Sequence, residues 1–312
     1  LQPTTLTAVP LFHVSGLHAQ LLASLRHGRR LVFMRRWNPA QALQLIQTEK
    51  ITQFNGAPSM VMQLLAEPGF DDPAITGSLG GVGFGGAGLP QRLIDDVLGR
   101  RGDSMSGIGF GLTETNGVGA AASGRLFQLR PHASGLISPI IELRVAEFDG
   151  TPLPTGESGE LWLRGVTVMK EYCAQPDATA RALDGGWFRS GDIGMVDAEG
   201  FVRIVDRIKD VINRAGEKIA AAEIESCLLQ HPALVEAAVF AQPDDQTGEA
   251  VVAVVVLAPG EVLSAQDVQA HVAARLAAYK VPQQVHVRHD SLPRNPAGKM
   301  LKTVLKREYA SA

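Results

Sequence analysis

The first hundred residues alternate between strand-like and helix-like patterns, and this alternation constrains the fold more than any other feature of the chain. Asn38-Pro39 predicts the start of a helix that runs to about Lys50, because Asn caps a helix and Pro suits its first position. Alternating elements with short connections favour a parallel sheet covered by helices. The same patterns predict strands at 5–10, 30–34 and 51–54, and helices at 17–26, 59–66 and 90–98.

The pattern changes near Gly135, where short strand patterns follow one another without helices. Residues 140–148, 159–164 and 201–205 have strand character, and turn sequences such as Asp149-Gly150 separate them. Such a succession predicts an antiparallel β-subdomain. We therefore expect a large domain at 1–208, with an α/β part at 1–134 and a β-rich part at 135–208.

A small mobile domain is expected at residues 209–312, after a charged link at 206–210. About 100 residues is a common domain size. Its predicted elements are helices at 220–229, 264–278 and 302–309 and strands at 235–240 and 250–257. The predicted fold class is thus α/β, a parallel sheet with helices plus an antiparallel β-subdomain, followed by a small α+β C-terminal domain.

The composition excludes several classes of protein. The 312 residues include 29 basic and 32 acidic side chains, so the net charge is −3 and no basic excess predicts nucleic-acid binding. No apolar run approaches the roughly 18 residues that predict a membrane span. Cys173 and Cys227 are too few for a disulfide scaffold and lack a zinc-binding pattern. We expect reduced thiols in a cytoplasmic protein.

Four short motifs are ambiguous when each is taken alone. Residues 81–86 match the spacing of a dinucleotide fingerprint, but Leu89-Pro90 interrupts the step into a helix. The glycines serve either packing alone or close approach of the backbone to a planar ligand. Thr113-Glu114-Thr115 suits either Mg²⁺ ligands or a helix cap. Asp192 suits either sugar hydroxyls or a turn, and Lys299 lacks the rest of a P-loop, which favours a surface lysine.

Seven motifs in a fixed order carry more information together. They are Pro-Leu-Phe-His-Val-Ser-Gly at 10–16, Gly-Gly-Ala-Gly-Leu-Pro at 85–90, Gly-Phe-Gly-Leu-Thr-Glu-Thr at 109–115, Gly-Glu-Leu within 156–165, Phe-Arg-Ser-Gly-Asp at 188–192, Asp-Arg-Ile-Lys-Asp at 206–210 continuing to 219, and Pro-Arg-Asn-Pro-Ala-Gly-Lys at 293–299. In this order the sequence resembles the adenylate-forming superfamily, in its acyl- and aryl-CoA ligase branch. The resemblance covers essentially the whole chain, although Ser190 replaces the family's threonine.

The resemblance implies roles for three catalytic candidates. Thr113 would contact phosphate, Glu114 would bind Mg²⁺, and Lys299 would bridge the acid's carboxylate and the α-phosphate. A compact fixed cation suits that bridge, because in-line attack brings two anionic groups together. The implied cofactors are ATP with its product AMP, Mg²⁺ and coenzyme A.

The resemblance also implies nucleotide contacts and a hinge. Asp192 would hold the ribose hydroxyls with Arg207 nearby. Lys209 would be the hinge about which the small domain rotates between the two half-reactions, bringing Gly216 near the thiol channel. The remaining cofactor-binding candidates are Gly85, Gly86, Ala87, Gly109, Phe110 and Gly111.

The acyl pocket is expected to be lined by small and apolar residues. Its candidates are His13, Val14, Asn55, Gly56, Ala57 and Gly83. Such walls favour a fatty or aryl acid, and the absence of a carboxylate in the motif around His13 argues against an amino-acid substrate. His13 has two interpretations, as a structural side chain and as a wall of the acyl pocket or thiol channel.

The family's Ser/Thr/Gly-rich phosphate loop lies upstream of the acyl-pocket motif and does not occur in these 312 residues. We therefore expect the C-terminal portion of a longer enzyme, with little ATP-dependent activity alone. The expected reaction is ATP-dependent ligation of a carboxylic acid to CoA through an acyl-AMP. The alternatives are an acyl-AMP ligase that loads a carrier protein and a non-catalytic nucleotide-binding fragment. The expected partners are small molecules, with no nucleic acid and no membrane span, and a homodimer is left open.

Overall fold

The structure, a computed structural model, describes residues 2–85, 90–102 and 104–310. These residues form two compact units. The large unit comprises 2–85, 93–204 and 296–298, and the small unit comprises 90–92, 205–295 and 299–310. Within the described ranges, no helix is both long enough and apolar enough to cross a membrane.

One sheet dominates the large unit. Among the described residues its strands are β1 (Thr4–Thr7), β2 (Arg30–Phe33), β3 (Gln53–Gly56), β4 (Gly81–Gly85), β5 (Gly107–Gly111), β6 (Gly119–Ser123), β7 (Gly135–Ile137), β8 (Ile141–Ala146), β9 (Gly159–Gly165), β10 (Leu183–Asp184), β11 (Trp187–Val196) and β12 (Phe201–Arg207). Their order is β2-β1-β3-β4-β5-β6-β7-β12-β11-β9-β8, with β10 beside β11. The ladders joining β1 to β5 are parallel, and from β5 onward they are antiparallel.

Helices connect the parallel strands. The helices described in this part of the chain are α1 (Val14–Gly16), α2 (Ala23–His27), α3 (Pro39–Thr48), α4 (Pro58–Leu65), α5 (Pro73–Thr76), α6 (Gln91–Arg101), α7 (Arg125–Leu129) and α8 (Pro176–Ala182). A π-helical segment at Leu17–Leu22 joins α1 to α2. The predicted helix start at Asn38 is confirmed, because its side chain accepts a hydrogen bond from the amide of Gln41 at 2.8 Å. Leu43 and Ile46, one turn apart, are buried.

The small unit has its own core. Its described elements are the hairpin β13 (Ile212–Arg214) and β14 (Glu217–Ile219), the sheet β15 (Leu234–Asp244), β16 (Gly248–Leu257) and β17 (Gln284–Arg288), and the helices α9 (Ala221–Leu228), α10 (Ala265–Ala273) and α11 (Lys302–Glu308). Strand β16 is antiparallel to β15 and parallel to β17. The predicted fold class, with its parallel and antiparallel parts and its α+β C-terminal domain, is confirmed.

Strand β16 explains the longest apolar run of the sequence. Val251 and Val255 point into a core that includes Ile224 of α9. Val252 and Val254 point the other way, into a cluster that includes Leu305 of α11. Because helices cover both faces, successive side chains are all apolar and the period-two alternation of a half-exposed strand is absent.

One predicted helix is longer than the observed one. The pattern predicted a helix over 264–278, whereas α10 ends at Ala273 with Ala274 as its C-cap. The chain becomes extended at Ala277 and then forms a 3₁₀ turn at Ala278–Lys280. The alanines there have helical propensity, and the tertiary path of the chain overrides it.

Candidate active site

Packing requires the glycine at the end of β4 but not the one that lies opposite it in β5. Gly85 and Gly109 lie opposite each other in the ladder. A Cβ atom on Gly85 would come within 2.2 Å of the carbonyl oxygen of Gly109. A Cβ on Gly109 would meet nothing closer than 3.8 Å, so its backbone leaves open space. Packing alone therefore accounts for Gly85, and close approach of a ligand stays a prediction for Gly109. The predicted Gly86 and Ala87 lie outside the described residues.

Three of the predicted pocket residues, Asn55, Gly56 and Gly83, lie in the neighbouring parallel strands β3 and β4. The side-chain oxygen of Asn55 occupies the space beside Gly83, where a Cβ would be only 2.1 Å away. The carbonyl of Asn55 accepts a hydrogen bond from Gln20 at 3.1 Å, and Gln20 is buried within the π-helical segment. Helix α4 begins beside Gly56 and Ala57. These contacts fix the position of Asn55 in the predicted wall.

His13 caps the short helix α1. Its Nδ1 accepts a hydrogen bond from the amide of Ser15 at 3.2 Å and lies 2.7 Å from the Ser15 hydroxyl. Val14, the first residue of α1, lies 3.2 Å from the Cβ position of Gly117 in the turn after β5. The cap supports the structural interpretation of His13, and Val14 links the predicted pocket to the predicted phosphate-binding turn.

The hairpin turn between β5 and β6 carries Thr113 and Glu114. A 3₁₀ turn spans Thr113–Thr115. Thr115 is fully buried, and its hydroxyl accepts a hydrogen bond from the amide of Leu112 at 3.2 Å. The last hydroxyl of the motif thus holds the turn, on which the side chain of Thr113 is exposed and that of Glu114 is half-buried. Phe110 and Gly111 lead into this turn from β5.

A neighbouring segment holds Glu114. The hydroxyl of Tyr172 donates a hydrogen bond to Oε1 of Glu114 at 2.8 Å. The amide of Met169 donates to the carbonyl of Glu114 at 2.7 Å. Burial and the hydrogen bond to Glu114 raise the pKa of Tyr172 to about 12. Tyr172 is not among the residues predicted from the sequence, because the pair is 58 residues apart and belongs to no shared motif.

Asp192 lies within β11 and is buried, with 3% of its surface exposed. The ladder between β11 and β9 shifts register between Arg189 and Ile193, and Gly191 has a positive φ of 70°. Glu160 of β9 stabilises this irregularity. Its carboxylate accepts hydrogen bonds from the amide of Gly191 at 3.1 Å and from Nε of Arg189 at 3.3 Å. The sequence motif included Glu160 without assigning it this function.

The turn at Thr113–Thr115 carries oxygen groups that fit Mg²⁺. Hydroxyl and carboxylate oxygens, such as those of Thr113 and Glu114, are the hard ligands that Mg²⁺ prefers. In the described residues, no three His, Cys, Asp or Glu side chains form a metal cluster. Magnesium is usually held by one or two carboxylates together with substrate phosphates, so this donor set fits.

The small unit carries Arg207, Lys209, Gly216 and Lys299. Lys209 lies in a 3₁₀ turn at Ile208–Asp210, directly after Arg207. Gly216 has a φ of 92° in the turn between β13 and β14, and no atom lies within 4 Å of its Cβ position. This open turn requires a residue that tolerates left-handed backbone conformation.

Lys299 ends a tight loop. Its amide donates to Oδ1 of Asn295 at 2.9 Å, and its carbonyl accepts from the amide of Asn295 at 2.9 Å. Arg294 and Met300 form an antiparallel bridge next to these bonds. The backbone of Lys299 is therefore fixed by local hydrogen bonds on both of its polar groups.

Two ion pairs of the small unit flank this loop and were not predicted from the sequence. Before the loop, Arg294 contacts Glu236 at 2.8 Å. After it, Nζ of Lys302 lies 2.7 Å from Oε1 of Glu225. Burial raises the pKa of Glu225, and Lys302 opposes this shift. Burial alone would lower the pKa of Lys302, but the Glu225 carboxylate raises it above the ordinary lysine value.

Two family models match the chain. Residues 1–173 match the model described as AMP-binding enzyme, and residues 223–299 match the model described as AMP-binding enzyme C-terminal domain. Three curated relatives are each 36% identical over 97% of this chain: a 4-coumarate–CoA ligase-like 6 of Arabidopsis thaliana, a feruloyl-CoA synthase of an Amycolatopsis species, and the fatty acid–[acyl-carrier-protein] ligase ScoC of Streptomyces coeruleorubidus. The chain spans between 54% and 61% of their lengths.

Solved structures agree with these matches. ATP-bound MatB from Rhodopseudomonas palustris has a TM-score of 0.90 and 29% identity, over 99% of this chain and 61% of that one. The o-succinylbenzoate CoA synthetase MenE of Bacillus subtilis, in complex with ATP and magnesium, has a TM-score of 0.84 and 32% identity, over 98% of this chain and 62% of that one. The chain therefore belongs to the AMP-binding enzyme family, in the acyl- and aryl-CoA ligase branch of the adenylate-forming superfamily.

Proposed function

We propose that these residues belong to an ATP-dependent acid–CoA ligase that makes an acyl-AMP and pyrophosphate, then acyl-CoA and AMP. The observation that carries the proposal is the ordered turn at Thr113–Thr115, whose buried third residue holds a turn with an exposed hydroxyl and a half-buried carboxylate. The names of the relatives support a CoA acceptor, because two of the three are CoA ligases or synthases.

In this proposal each unit supplies part of the adenylation step. Thr113 binds phosphate, and Asp192 with Arg207 orients the ribose. Lys299 lies between the attacking carboxylate and the α-phosphate and offsets the negative charge that both bring. Mg²⁺, bound through Glu114, would neutralise charge on the phosphates. The carboxylate oxygen attacks the α-phosphorus, and the bond to pyrophosphate breaks.

The second step needs a different arrangement of the units. We propose a large domain at 1–208, a small domain at 209–312 and a hinge at Lys209. The charges of this link and the exposed side chain of Lys209 support that assignment, because a hinge must change its backbone angles without breaking a packed core. Rotation would withdraw Lys299 and bring Gly216 towards the thiol of coenzyme A.

The proposed substrate is an apolar fatty or aryl carboxylic acid, held by His13, Val14, Asn55, Gly56, Ala57 and Gly83. The names of the relatives cover both classes, since 4-coumarate and ferulate are aryl acids and ScoC acts on fatty acids. Asn55 is the one amide among these wall residues, and it suits an acid with a polar substituent. We also propose that the protein is cytoplasmic.

The test measures pyrophosphate release by the natural polypeptide that carries these residues, across short-chain, fatty and aryl acids, with and without CoA. We expect turnover to depend on CoA and to fall sharply when Lys299 is replaced by Ala. Lys209→Pro should impair thioester formation while leaving adenylation intact. Equal loss of both half-reactions in Lys209→Pro would contradict the hinge, and full activity of Lys299→Ala would contradict the mechanism.

The second candidate is transfer of the acyl group to a carrier protein. The relative ScoC favours it, because its name specifies an acyl-carrier protein as acceptor. Turnover that ignores free CoA but responds to a pantetheine-bearing carrier protein would select this function.

A further inference from the structure

We propose that Tyr172 is a positioning residue that makes Glu114 bind its cation through a single carboxylate oxygen, Oε2. The inference rests on the proposed function, because that function gives Glu114 its cation. The hydroxyl of Tyr172 donates to Oε1 at 2.8 Å. The hydrogen bond occupies one of the two lone pairs of Oε1, so Oε2 is the oxygen with more acceptor capacity for a metal.

The segment that carries Tyr172 is fixed to the turn by three separate hydrogen bonds. Besides the phenol, the amide of Met169 donates to the carbonyl of Glu114 at 2.7 Å, and the side chain of Asn116 donates to the carbonyl of Thr167 at 2.9 Å. These two bonds involve the backbone. They hold the segment in place whether or not the phenol hydroxyl is present.

Tyr172 itself is anchored to helix α8. Its amide donates to Oγ1 of Thr179 at 3.0 Å, and its carbonyl accepts from the amide of Gln175 at 3.1 Å. The phenol therefore reaches Glu114 from a fixed backbone. A donor on a fixed backbone restricts the rotation of the glutamate side chain more than a mobile surface residue would.

A neutral hydrogen-bond donor such as the phenol of Tyr172 suits a carboxylate that must bind a cation. A lysine or arginine at Oε1 would orient the carboxylate equally well but would cancel the charge that attracts a cation. A phenol keeps the charge on Glu114 and restricts its geometry. Mg²⁺ demands near-ideal octahedral geometry, so one defined ligand oxygen suits it better than a freely rotating carboxylate.

The test replaces Tyr172 by Phe, which removes the hydroxyl and keeps the ring. ATP binding to the natural polypeptide is measured by titration calorimetry in excess Mg²⁺ and again in EDTA. We expect the Mg²⁺-dependent gain in affinity to fall by about tenfold, the lower end of the worth of one hydrogen bond to a charged group. Affinity in EDTA should stay unchanged. Tyr279→Phe, at a partly exposed tyrosine of the small unit, is the matched control.

A double-mutant cycle with Glu114→Gln shows whether Tyr172 acts through Glu114. If it does, Tyr172→Phe has no further effect on the Mg²⁺-dependent gain in the Glu114→Gln background. Additive effects, an unchanged gain in Tyr172→Phe, or equal losses in Mg²⁺ and in EDTA would each overturn the inference. A wild-type protein that binds ATP with no Mg²⁺-dependent gain would instead overturn the proposed function.

Discussion

The ion pair between Lys302 and Glu225, which follows the loop of Lys299, provides a quantitative test of what stabilises the small unit. The two charged atoms are 2.7 Å apart, and only 17% and 18% of the side-chain surfaces are exposed. Glu225 also accepts a hydrogen bond from the amide of Val239 at 2.8 Å. A nearby carboxylate, Asp206, is buried too, and burial raises its pKa. Lys302→Met keeps most of the apolar length of the side chain and removes the cation from beside these carboxylates.

The expected cost follows from leaving a buried charge without its partner. Breaking a buried pair in this way costs about 3–5 kcal/mol. Because nearly a fifth of each side chain is exposed, we expect the lower end, about 3 kcal/mol of unfolding free energy. Adding Glu225→Gln should restore most of the loss, since the amide is neutral and its oxygen can still accept from Val239.

The cost should also depend on pH. Without Lys302, the folded-state pKa of Glu225 rises further above its unfolded value. The folded state then takes up a proton more readily than the unfolded state, so the loss is largest at high pH and shrinks as the pH falls through the raised pKa. Glu225→Gln removes the main titrating group and should make the remaining loss less dependent on pH, with Asp206 as the remaining buried carboxylate.

The assay must separate the two units. All three tryptophans, Trp37, Trp162 and Trp187, lie in the large unit, so their fluorescence reports that unit during urea unfolding. Hydrogen exchange of peptides from β15 and β16 reports the small unit. The reasoning is refuted if Lys302→Met loses less than about 1 kcal/mol, the range of an exposed pair. It is also refuted if the double variant is no more stable than the single one.

Three further predictions concern backbone strain, the turn at Asp192 and pH. Gly135→Ala should cost the large unit more than about 3 kcal/mol in urea unfolding, because its φ is 106° and the new Cβ would lie 1.9 Å from a carbonyl carbon. Gly156→Ala, with a φ of 89° and open space, should cost only about 1 kcal/mol. Glu160→Ala should weaken AMP binding about tenfold in calorimetry by loosening the turn, whereas Glu142→Ala at an exposed ion pair should not. Burial lowers the pKa of His271, so its contribution to stability is present at pH 7 and is lost as the pH falls. His271→Gln should therefore flatten the decline in stability between pH 7 and pH 5.

The sequence predicted those elements whose structure is determined by neighbouring residues or by uniform burial along the element. Strand β16 was recognisable because both of its faces are covered and its residues are therefore all apolar. Helix α3 was recognisable from Asn38 and Pro39, because a cap and a fixed φ act within one turn of the chain. In both cases the determining contacts are either local or uniform along the element.

The glycine-rich strands escaped prediction for a physical reason. Strands β4 and β5 alternate glycine with larger residues, and glycine is depleted in strands because it has no side chain to pack. In these strands the missing side chain is what allows the strands to pair, because a Cβ on Gly107 would come within 2.4 Å of the carbonyl oxygen of Ala122. The constraint comes from the neighbouring backbone, which a single sequence does not reveal.

The residues of the candidate site fall into the same two groups, those predicted from local motifs and those determined by the tertiary fold. Thr113, Glu114, Asp192 and Lys299 were found because the family keeps them in short motifs in a fixed order. Asn295 holds Lys299 from within the same motif, whereas the residue that orients Glu114, Tyr172, lies in another element. The hydrogen bond of Tyr172 depends on the tertiary fold and leaves no periodic or local signal in the sequence.

The contacts around Glu114 and Lys299 also bear on how the two units would work together. Glu114 is oriented by Tyr172 and Met169, which all belong to the large unit. The backbone of Lys299 is fixed by Asn295, and Lys302 with its carboxylate partner follows it; these residues belong to the small unit. Neither set of contacts would have to break if the units rotated about Lys209. In a rotation of that kind each unit would move as a rigid body. The free-energy cost would then lie in the hinge and in the surfaces that come into or out of contact. Both half-reactions would use the same internal geometry of each unit.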